Sequence, residues 1–330
     1  MNLSARMLSL LTVVCILPLT VSAECFQWDI GGSKKLFYFA EHSIDRGNPK
    51  TECAVIWIHG MNGASSDSAQ GLRKRLAGMK NGDSVYCIAP SFMESRHSNN
   101  PAMRDKTLLW DRENWRGGGK ASNGNGISSF TVIDMICGKL SDRKKYPRLR
   151  HILIAGFSAG GQFVNRYIAV GRPPEAEGLR YSFAVGAPST YLYIDNRRFS
   201  KGSFSLPRTR DKTFNQWRNG LEQLPAYADG IPNGRIMKNL ASRYTLYLVG
   251  SADTGKKNLS VSPDAMLQGK NRYDRFIIFQ QYVKLFPQWQ KCLRFKTVPD
   301  AGHNKVKVMF ESPEFLSMVF GRTDVSPAEF

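Results

Sequence analysis

The chain has 330 residues and a formal net charge of +19. Its hydrophobic fraction of 42% is ordinary for a globular protein, and no segment after the N-terminal region is long and apolar enough to span a membrane. The basic clusters at 73–75, 143–150 and 208–212 lack the interleaved aromatic residues of a single-strand nucleic-acid platform. We therefore expect no specific nucleic-acid partner, and at most a weak association with anionic surfaces or polymers.

The first 23 residues resemble an export signal. Arg6 carries one positive charge, residues 7–19 are apolar throughout, and small residues precede a cleavage point after Ala23. The apolar run is shorter than the ~20 residues that a membrane-spanning helix needs. We predict a secreted or periplasmic protein, with one domain over residues 24–330.

Five cysteines follow the predicted cleavage point, and none has a metal-binding spacing such as CxxC. Because the number is odd, at least one thiol is unpaired, and up to two disulfides are possible. Cys87 and Cys137 lie within apolar patterns typical of a strand and a helix, which favours buried structural cysteines over catalytic ones. The five are Cys25, Cys53, Cys87, Cys137 and Cys292.

Short apolar runs alternate with helical patterns along the chain. Runs typical of buried strands occupy 54–59, 84–89 and 151–156, and further strands are predicted at 181–185, 244–249 and 292–298. Patterns typical of helices occupy 66–80, 127–140, 160–170, 272–289 and 306–320. This alternation predicts the α/β class, with a doubly wound, mostly parallel sheet flanked by helices.

A GxSxG motif follows the third predicted strand. Gly156, Ser158 and Gly160 lie between that strand and a predicted helix, which is the context required of a nucleophile elbow. Larger residues at either glycine would clash as the backbone doubles back. The motif predicts Ser158 as a nucleophile, and a Gly-rich turn without catalysis is the alternative.

A serine nucleophile needs a base and an acid that orients it. His303 follows the last predicted strand near the C-terminus, and Asp253 follows the strand before it. The chain order Ser, Asp, His resembles that of α/β-hydrolases. Asp300 and Asp195 are weaker candidates for the acid.

His59 and Gly60 follow the first predicted strand and begin a loop that continues with Met61. We expect the backbone N–H groups of Met61 and Ala159 to form an oxyanion hole. For His59 itself we expect a role in shaping the loop.

Two long stretches, 91–126 and 190–240, do not fit the alternation and are rich in aromatic residues. We expect these insertions to cover the active site. Trp110, Trp115, Tyr191 and Trp217 are candidate substrate-binding residues, with ordinary core packing as the alternative for each.

The chain resembles the α/β-hydrolase superfamily over roughly residues 54–320. The resemblance rests on the turn at Ser158, on Asp253 and His303, and on the His59-Gly60 pair. The chain also has some likeness to secreted esterases, polyhydroxyalkanoate depolymerases and feruloyl esterases around Gly156–Gly161. The resemblance implies a mostly parallel sheet of about eight strands, no cofactor, and acyl transfer to water.

The leading hypothesis is a secreted serine hydrolase that cleaves carboxylic esters, polymeric or anionic substrates included. The alternatives are an amidase, peptidase or acyltransferase on the same three side chains, or a binding protein that kept the fold and lost turnover. No metal site is expected, because Asp253, Asp264 and Asp274 have no recognised ligand spacing.

Overall fold

The computed structural model describes residues 22–30, 32–94, 105–111 and 114–322. Only Ser22 and Ala23 of the predicted export signal belong to the described residues. Parts of the first insertion also lie outside them. No helix among the described residues has the length and apolar character needed to cross a membrane.

The described strands are β1 (Glu24–Asp29), β2 (Lys35–Ala40), β3 (Cys53–Ile58), β4 (Val85–Pro90), β5 (His151–Phe157), β6 (Arg180–Gly186), β7 (Arg198–Ser200), β8 (Ser203–Ser205), β9 (Thr245–Gly250) and β10 (Leu293–Val298). Eight of them form one sheet, in the order β1-β2-β4-β3-β5-β6-β9-β10. The six strands from β4 to β10 in this order are parallel to one another, whereas β2 pairs antiparallel with both β1 and β4. Strands β7 and β8 form a separate antiparallel hairpin.

Helices connect and flank these strands. A π-helix, Val306–Phe310, follows β10, and 3-10 turns occur at Gly82–Ser84, Asn114–Gly117 and Ala226–Ala228. The α-helices are α1 (Ser65–Ala77), α2 (Ser129–Leu140), α3 (Ala159–Val170), α4 (Asn233–Ser242), α5 (Pro263–Met266), α6 (Arg272–Val283), α7 (Pro287–Gln290) and α8 (Pro313–Val319).

The central strands are buried along their whole length. Every residue of β3, β4, β5 and β9 is buried, as expected for parallel strands covered on both faces. This arrangement confirms the predicted doubly wound sheet of about eight strands. It also brings the carboxyl ends of β3, β5, β9 and β10 to one edge of the sheet, where the loops that follow them meet.

Two predicted helices are interrupted where proline occurs. The pattern over 272–289 continues past Val283, but the structure ends α6 there and begins α7 at Pro287. The pattern over 306–320 is divided into the π-helix and α8, which begins at Pro313. Proline lacks an N–H donor and its ring clashes with the preceding turn, so it is accepted only where a helix begins.

All five cysteines predicted to remain after cleavage are free thiols. Cys53, Cys87 and Cys137 are buried, whereas Cys25 is exposed. Burial raises the pKa of the Cys53 thiol to about 11. The buried thiols therefore stay protonated at neutral pH and pack as small apolar groups.

His151, the first residue of β5, predicts a loss of stability in acid. It is buried beside Ser182, with 2.7 Å between Nε2 and Oγ, and burial lowers its pKa from 6.5 to about 4. As pH falls from 6.5 to 4, the unfolded chain binds a proton that the folded chain does not. The free energy of unfolding should therefore fall by about 3 kcal/mol over this interval.

Urea unfolding of the wild type and of His151→Gln across this pH range isolates the effect. The difference between the two proteins should change with pH, because glutamine does not titrate. A difference that stays constant from pH 7 to pH 4 would contradict the assignment.

Candidate active site

Ser158 lies at the turn between β5 and α3. Its backbone has φ 59° and ψ −114°, in the left-handed region that non-glycine residues seldom adopt. Its N–H donates to the carbonyl of Gly186 at 2.8 Å, which anchors the turn to the end of β6. The turn therefore holds the Ser158 hydroxyl out from the carboxyl edge of the sheet.

The glycines around Ser158 are required by close backbone contacts. A Cβ at Gly156 would lie 2.5 Å from the carbonyl carbon of Gly160, and a Cβ at Gly160 would lie 2.1 Å from the carbonyl oxygen of Ile58. The turn therefore has no room for side chains at these positions, as the motif predicts.

His303 lies within hydrogen-bond distance of Ser158 and of Asp253. Its Nε2 is 3.0 Å from the Ser158 Oγ, and its Nδ1 is 2.7 Å from the Asp253 Oδ2. A neutral imidazole with its proton on Nδ1 satisfies both contacts, because it donates to the carboxylate and accepts from the hydroxyl. The structure thus brings the three predicted side chains together, from loops after three different strands.

Asp253 is deeply buried, with 2% of its surface exposed, and Arg272 lies against it. The Arg272 Nη1 is 3.5 Å from the Asp253 Oδ1, and its Nη2 donates to the carbonyls of Lys257 and Asn258. Burial lowers the pKa of Arg272, and the charge of Asp253 opposes this. Arg272 therefore compensates the buried carboxylate and holds the loop that carries it.

Of the two weaker candidates for the acid, Asp300 is exposed to solvent and Asp195 is engaged elsewhere. Asp300 is exposed, and its N–H donates to the Ser251 Oγ at 2.9 Å. Asp195 pairs with Arg197 at 2.6 Å and accepts a hydrogen bond from the Tyr282 hydroxyl at 3.0 Å.

Loss of Arg272 should destabilise the protein. Arg272→Met leaves Asp253 without its buried cation, and breaking such a pair typically costs about 3–5 kcal/mol of unfolding free energy. The control is Arg235→Met, because Arg235 pairs with Glu175 at 3.9 Å on the surface and both side chains are more than half exposed. Urea unfolding should show a change of less than about 1 kcal/mol for the control. Equal changes in the two variants would refute the role given to Arg272.

The two predicted oxyanion donors adjoin Ser158. Ala159 is the first residue of α3, where N–H groups have no acceptor within the helix. Met61 follows β3 and lines the same cavity as Ser158. The Ala159 N–H lies next to the nucleophile in the chain, at the positive end of the helix dipole.

His59 is fully buried and joins the loop after β3 to the chain after β4. Its Nε2 accepts from the N–H of Phe92 at 2.9 Å, so its Nδ1 carries the proton and donates to the carbonyl of Gly60 at 2.6 Å. The Trp115 ring packs 4.6 Å from the imidazole. These contacts shape the loop that continues with Met61.

Two cavities meet at this site. The serine cavity, about 190 Å³, is lined by Ser158, His303, Met61, Lys305 and seven other residues. The arginine cavity, about 320 Å³, shares Met61 and Asn258 with it. The arginine cavity is named for Arg116, Arg166 and Arg218, which lie in its wall.

Of the four aromatic candidates, only Trp217 lies in the wall of either cavity, within the part of the chain that is described. Trp110, Trp115 and Tyr191 have no exposed surface. Trp110 donates to the Gly119 carbonyl and Trp115 to Glu94, while the Tyr191 ring stacks on Phe279. The structure therefore places these three rings in the core and differs from the expectation. Large aromatic surfaces gain most from full burial, even in an insertion.

The sequence interpretation did not include Arg272 or the three arginines of the second cavity. One signal was present for Arg166. Helix α3 is buried along its whole length, and Ser158, Gln162 and Arg166 are spaced by four residues, which places them on one helix face. A charged residue on a buried helix, on the same face as a candidate nucleophile, indicates that the residue contributes to the site.

The described residues contain no group of three or more His, Cys, Asp or Glu side chains arranged to hold a metal ion. The polar groups around Ser158 are instead those that acyl transfer uses: a hydroxyl, an imidazole, a carboxylate and backbone N–H groups.

No protein-family model matches the sequence, and no curated protein is similar to it at a significant level. Several solved structures are similar to the chain in fold, among them the following two. The poly(aspartic acid) hydrolase-1 of Sphingomonas sp. KT-1 is 18% identical, with a TM-score of 0.59 over 88% of this chain and 96% of that one. The poly(3-hydroxybutyrate) depolymerase LpqC of Bordetella parapertussis is 16% identical, with a TM-score of 0.57 over 86% of this chain and 85% of that one.

Identities this low are evidence about the fold rather than the reaction. The strand order, the helix that follows Ser158 directly and these two structural likenesses agree with one another. The chain has the α/β-hydrolase fold.

Proposed function

We propose that the protein is a serine hydrolase that cleaves carboxylic esters through Ser158, His303 and Asp253. The observation that carries the proposal is the continuous hydrogen-bonded chain from the Ser158 hydroxyl through the imidazole to the buried carboxylate. A hydroxyl alone is a weak nucleophile at neutral pH, and this arrangement is what activates it.

The proposed reaction uses each of these groups in turn. As the Ser158 Oγ attacks the acyl carbon, its proton moves to the Nε2 of His303, and Asp253 stabilises the imidazolium that forms. The backbone N–H groups of Met61 and Ala159 donate to the oxygen that becomes negative. His303 then protonates the leaving alcohol, which leaves the acyl group on Ser158. Water, deprotonated by His303, then attacks this ester. The bond from the acyl carbon to the Ser158 Oγ breaks, His303 returns its proton to that oxygen, and the acid is released.

The same groups can cleave amides, and one comparison favours this as the second candidate. The Sphingomonas protein is described as a hydrolase of poly(aspartic acid), whose backbone is joined by amide bonds. The Bordetella protein is described as a depolymerase of a polyester. Polymers with either linkage are therefore candidate substrates. With an export signal before residue 24, such a polymer would be met outside the cytoplasm.

A fluorophosphonate probe tests the proposal directly, because it reacts with activated serines. We expect one covalent adduct, located on Ser158 by mass spectrometry, and none on Ser158→Ala. Hydrolysis of p-nitrophenyl butyrate compared with butyryl p-nitroanilide then separates esterase from amidase. A folded protein whose Ser158 stays unlabelled and that hydrolyses neither compound would refute the proposal.

A further inference from the structure

The arginine cavity opens beside the nucleophile and is strongly basic. Among the described residues, its wall contains Arg116, Arg166 and Arg218, and Asp264 is the one acidic residue there. Asp264 is itself engaged, because the side-chain amide of Asn219 donates to it. The cavity is thus suited to an anionic group.

Arg166 is the most deeply buried of the three, with 2% of its surface exposed. Within the described chain, its hydrogen bonds go to neutral oxygens: the carbonyls of Arg218 (2.9 Å) and Arg116 (3.3 Å), the Gln162 amide (3.3 Å) and the Thr190 hydroxyl (2.9 Å). These acceptors hold the guanidinium in place but do not neutralise it.

The protein keeps this charge at an energetic cost. Burial lowers the pKa of Arg166 well below its ordinary value, and the neighbouring charges of Arg218 and Arg116 lower it further. Arginine nevertheless remains protonated at neutral pH. A bound anion would relieve both the desolvation and the mutual repulsion of the guanidinium groups.

The position of the arginines sets the distance between such an anion and the reacting carbonyl. Arg166 lies eight residues after Ser158, which is about 12 Å along the helix axis. Side chains on a helix tilt toward its N-terminus, so the guanidinium reaches back toward Ser158. An anionic group in the cavity would therefore be several bonds from the scissile ester, on the same substrate molecule.

We propose that the arginine cavity is a subsite for a carboxylate of the substrate, so that the enzyme prefers esters that carry a carboxylate over neutral esters of the same length. Planar guanidinium groups match the planar carboxylate and can bind both its oxygens. This inference rests on the proposed function, since it describes which esters Ser158 would meet.

Matched substrate pairs test the inference on the acyl side and on the alcohol side. The acyl pair is p-nitrophenyl hydrogen adipate against its neutral methyl ester, a chain too long for rapid self-cleavage through a cyclic anhydride. The alcohol pair is p-acetoxybenzoate against its methyl ester. We expect kcat/KM to be at least tenfold higher for the carboxylate member of one pair. Ratios near one in both pairs would overturn the inference while leaving esterase activity in place.

Arg218 is the residue to change, because it is the most exposed of the three and its replacement disturbs the fold least. Arg218→Gln should reduce kcat/KM for the preferred carboxylate ester at least tenfold more than for its neutral partner, and Arg218→Lys should recover part of the preference. The control is Lys144→Gln, an equal change of charge at an exposed residue before β5, at the opposite end of the sheet. It should leave both rates unchanged. Equal preferences in Arg218→Gln and Lys144→Gln would overturn the inference.

Binding of free adipate to Ser158→Ala, measured by calorimetry, tests the cavity without turnover. We expect adipate to bind, to bind more weakly to the double variant with Arg218→Gln, and to bind more tightly than inorganic phosphate. No binding at millimolar concentration, or tighter binding of phosphate, would overturn the carboxylate assignment. If adipate binds but no ester is cleaved, the proposed function fails and the subsite remains.

Discussion

Replacing Ser158 by alanine should reduce kcat for a p-nitrophenyl ester by about 10⁴–10⁶-fold, because the acyl-enzyme can no longer form. The oxyanion donors remain in place, so a residual rate above that of water is expected. Alanine at this position removes only the hydroxyl and keeps the backbone N–H that donates to the Gly186 carbonyl. Initial rates at saturating substrate measure the effect, and circular dichroism establishes that the fold is intact.

The matched control is Ser203→Ala, in the exposed hairpin of β7 and β8. Its rate should equal that of the wild type. If Ser158→Ala retains more than about a tenth of the wild-type rate, a different residue is the nucleophile and the proposed mechanism is wrong.

Asp253→Asn should lower kcat by about 10⁴-fold. Asparagine has the shape of aspartate but no charge, and its amide can donate to the Nδ1 of His303. The imidazole would then carry its proton on Nε2, where it cannot accept the proton of Ser158. KM should change little, because Asp253 is buried beneath the imidazole and is not in the wall of either cavity.

Asp300→Asn is the control, since Asp300 is the rival acid from the same loop as His303. It is exposed and has φ 54°, a conformation that asparagine tolerates. We expect wild-type kcat. A large loss with Asp300→Asn and a small one with Asp253→Asn would reverse the assignment of the acid.

Much of the fold follows from local patterns. Each of the six predicted strands corresponds to an observed strand within one or two residues. Four of them, β3, β4, β5 and β9, are buried throughout, and a parallel strand buried on both faces must be apolar along its length. The hairpin of β1 and β2 has no such signal, since β1 lies at the edge of the sheet and most of its residues are not fully buried. Helix α4 and the hairpin of β7 and β8 lie within the second insertion, where no periodicity stood out.

The Ser158 turn is the part of the candidate site that residue order alone can predict. Its glycines, the strand before it and the helix after it are neighbours in the chain. Consecutive residues therefore determine the steric requirements of the turn. His303 and Asp253 could also be predicted, because a parallel sheet places the residues after its strands at one edge.

Contacts between distant segments could only come from the folded chain. Arg272 begins a helix whose pattern indicates nothing about Asp253, and Arg218 and Arg116 reach Arg166 from two separate insertions. Such contacts depend on how the insertions pack over α3, and that packing is the sum of many weak apolar contacts rather than a local preference. Residue order alone thus predicted the nucleophile Ser158 with its base and acid, His303 and Asp253. Tertiary packing determined which charged residues surround them.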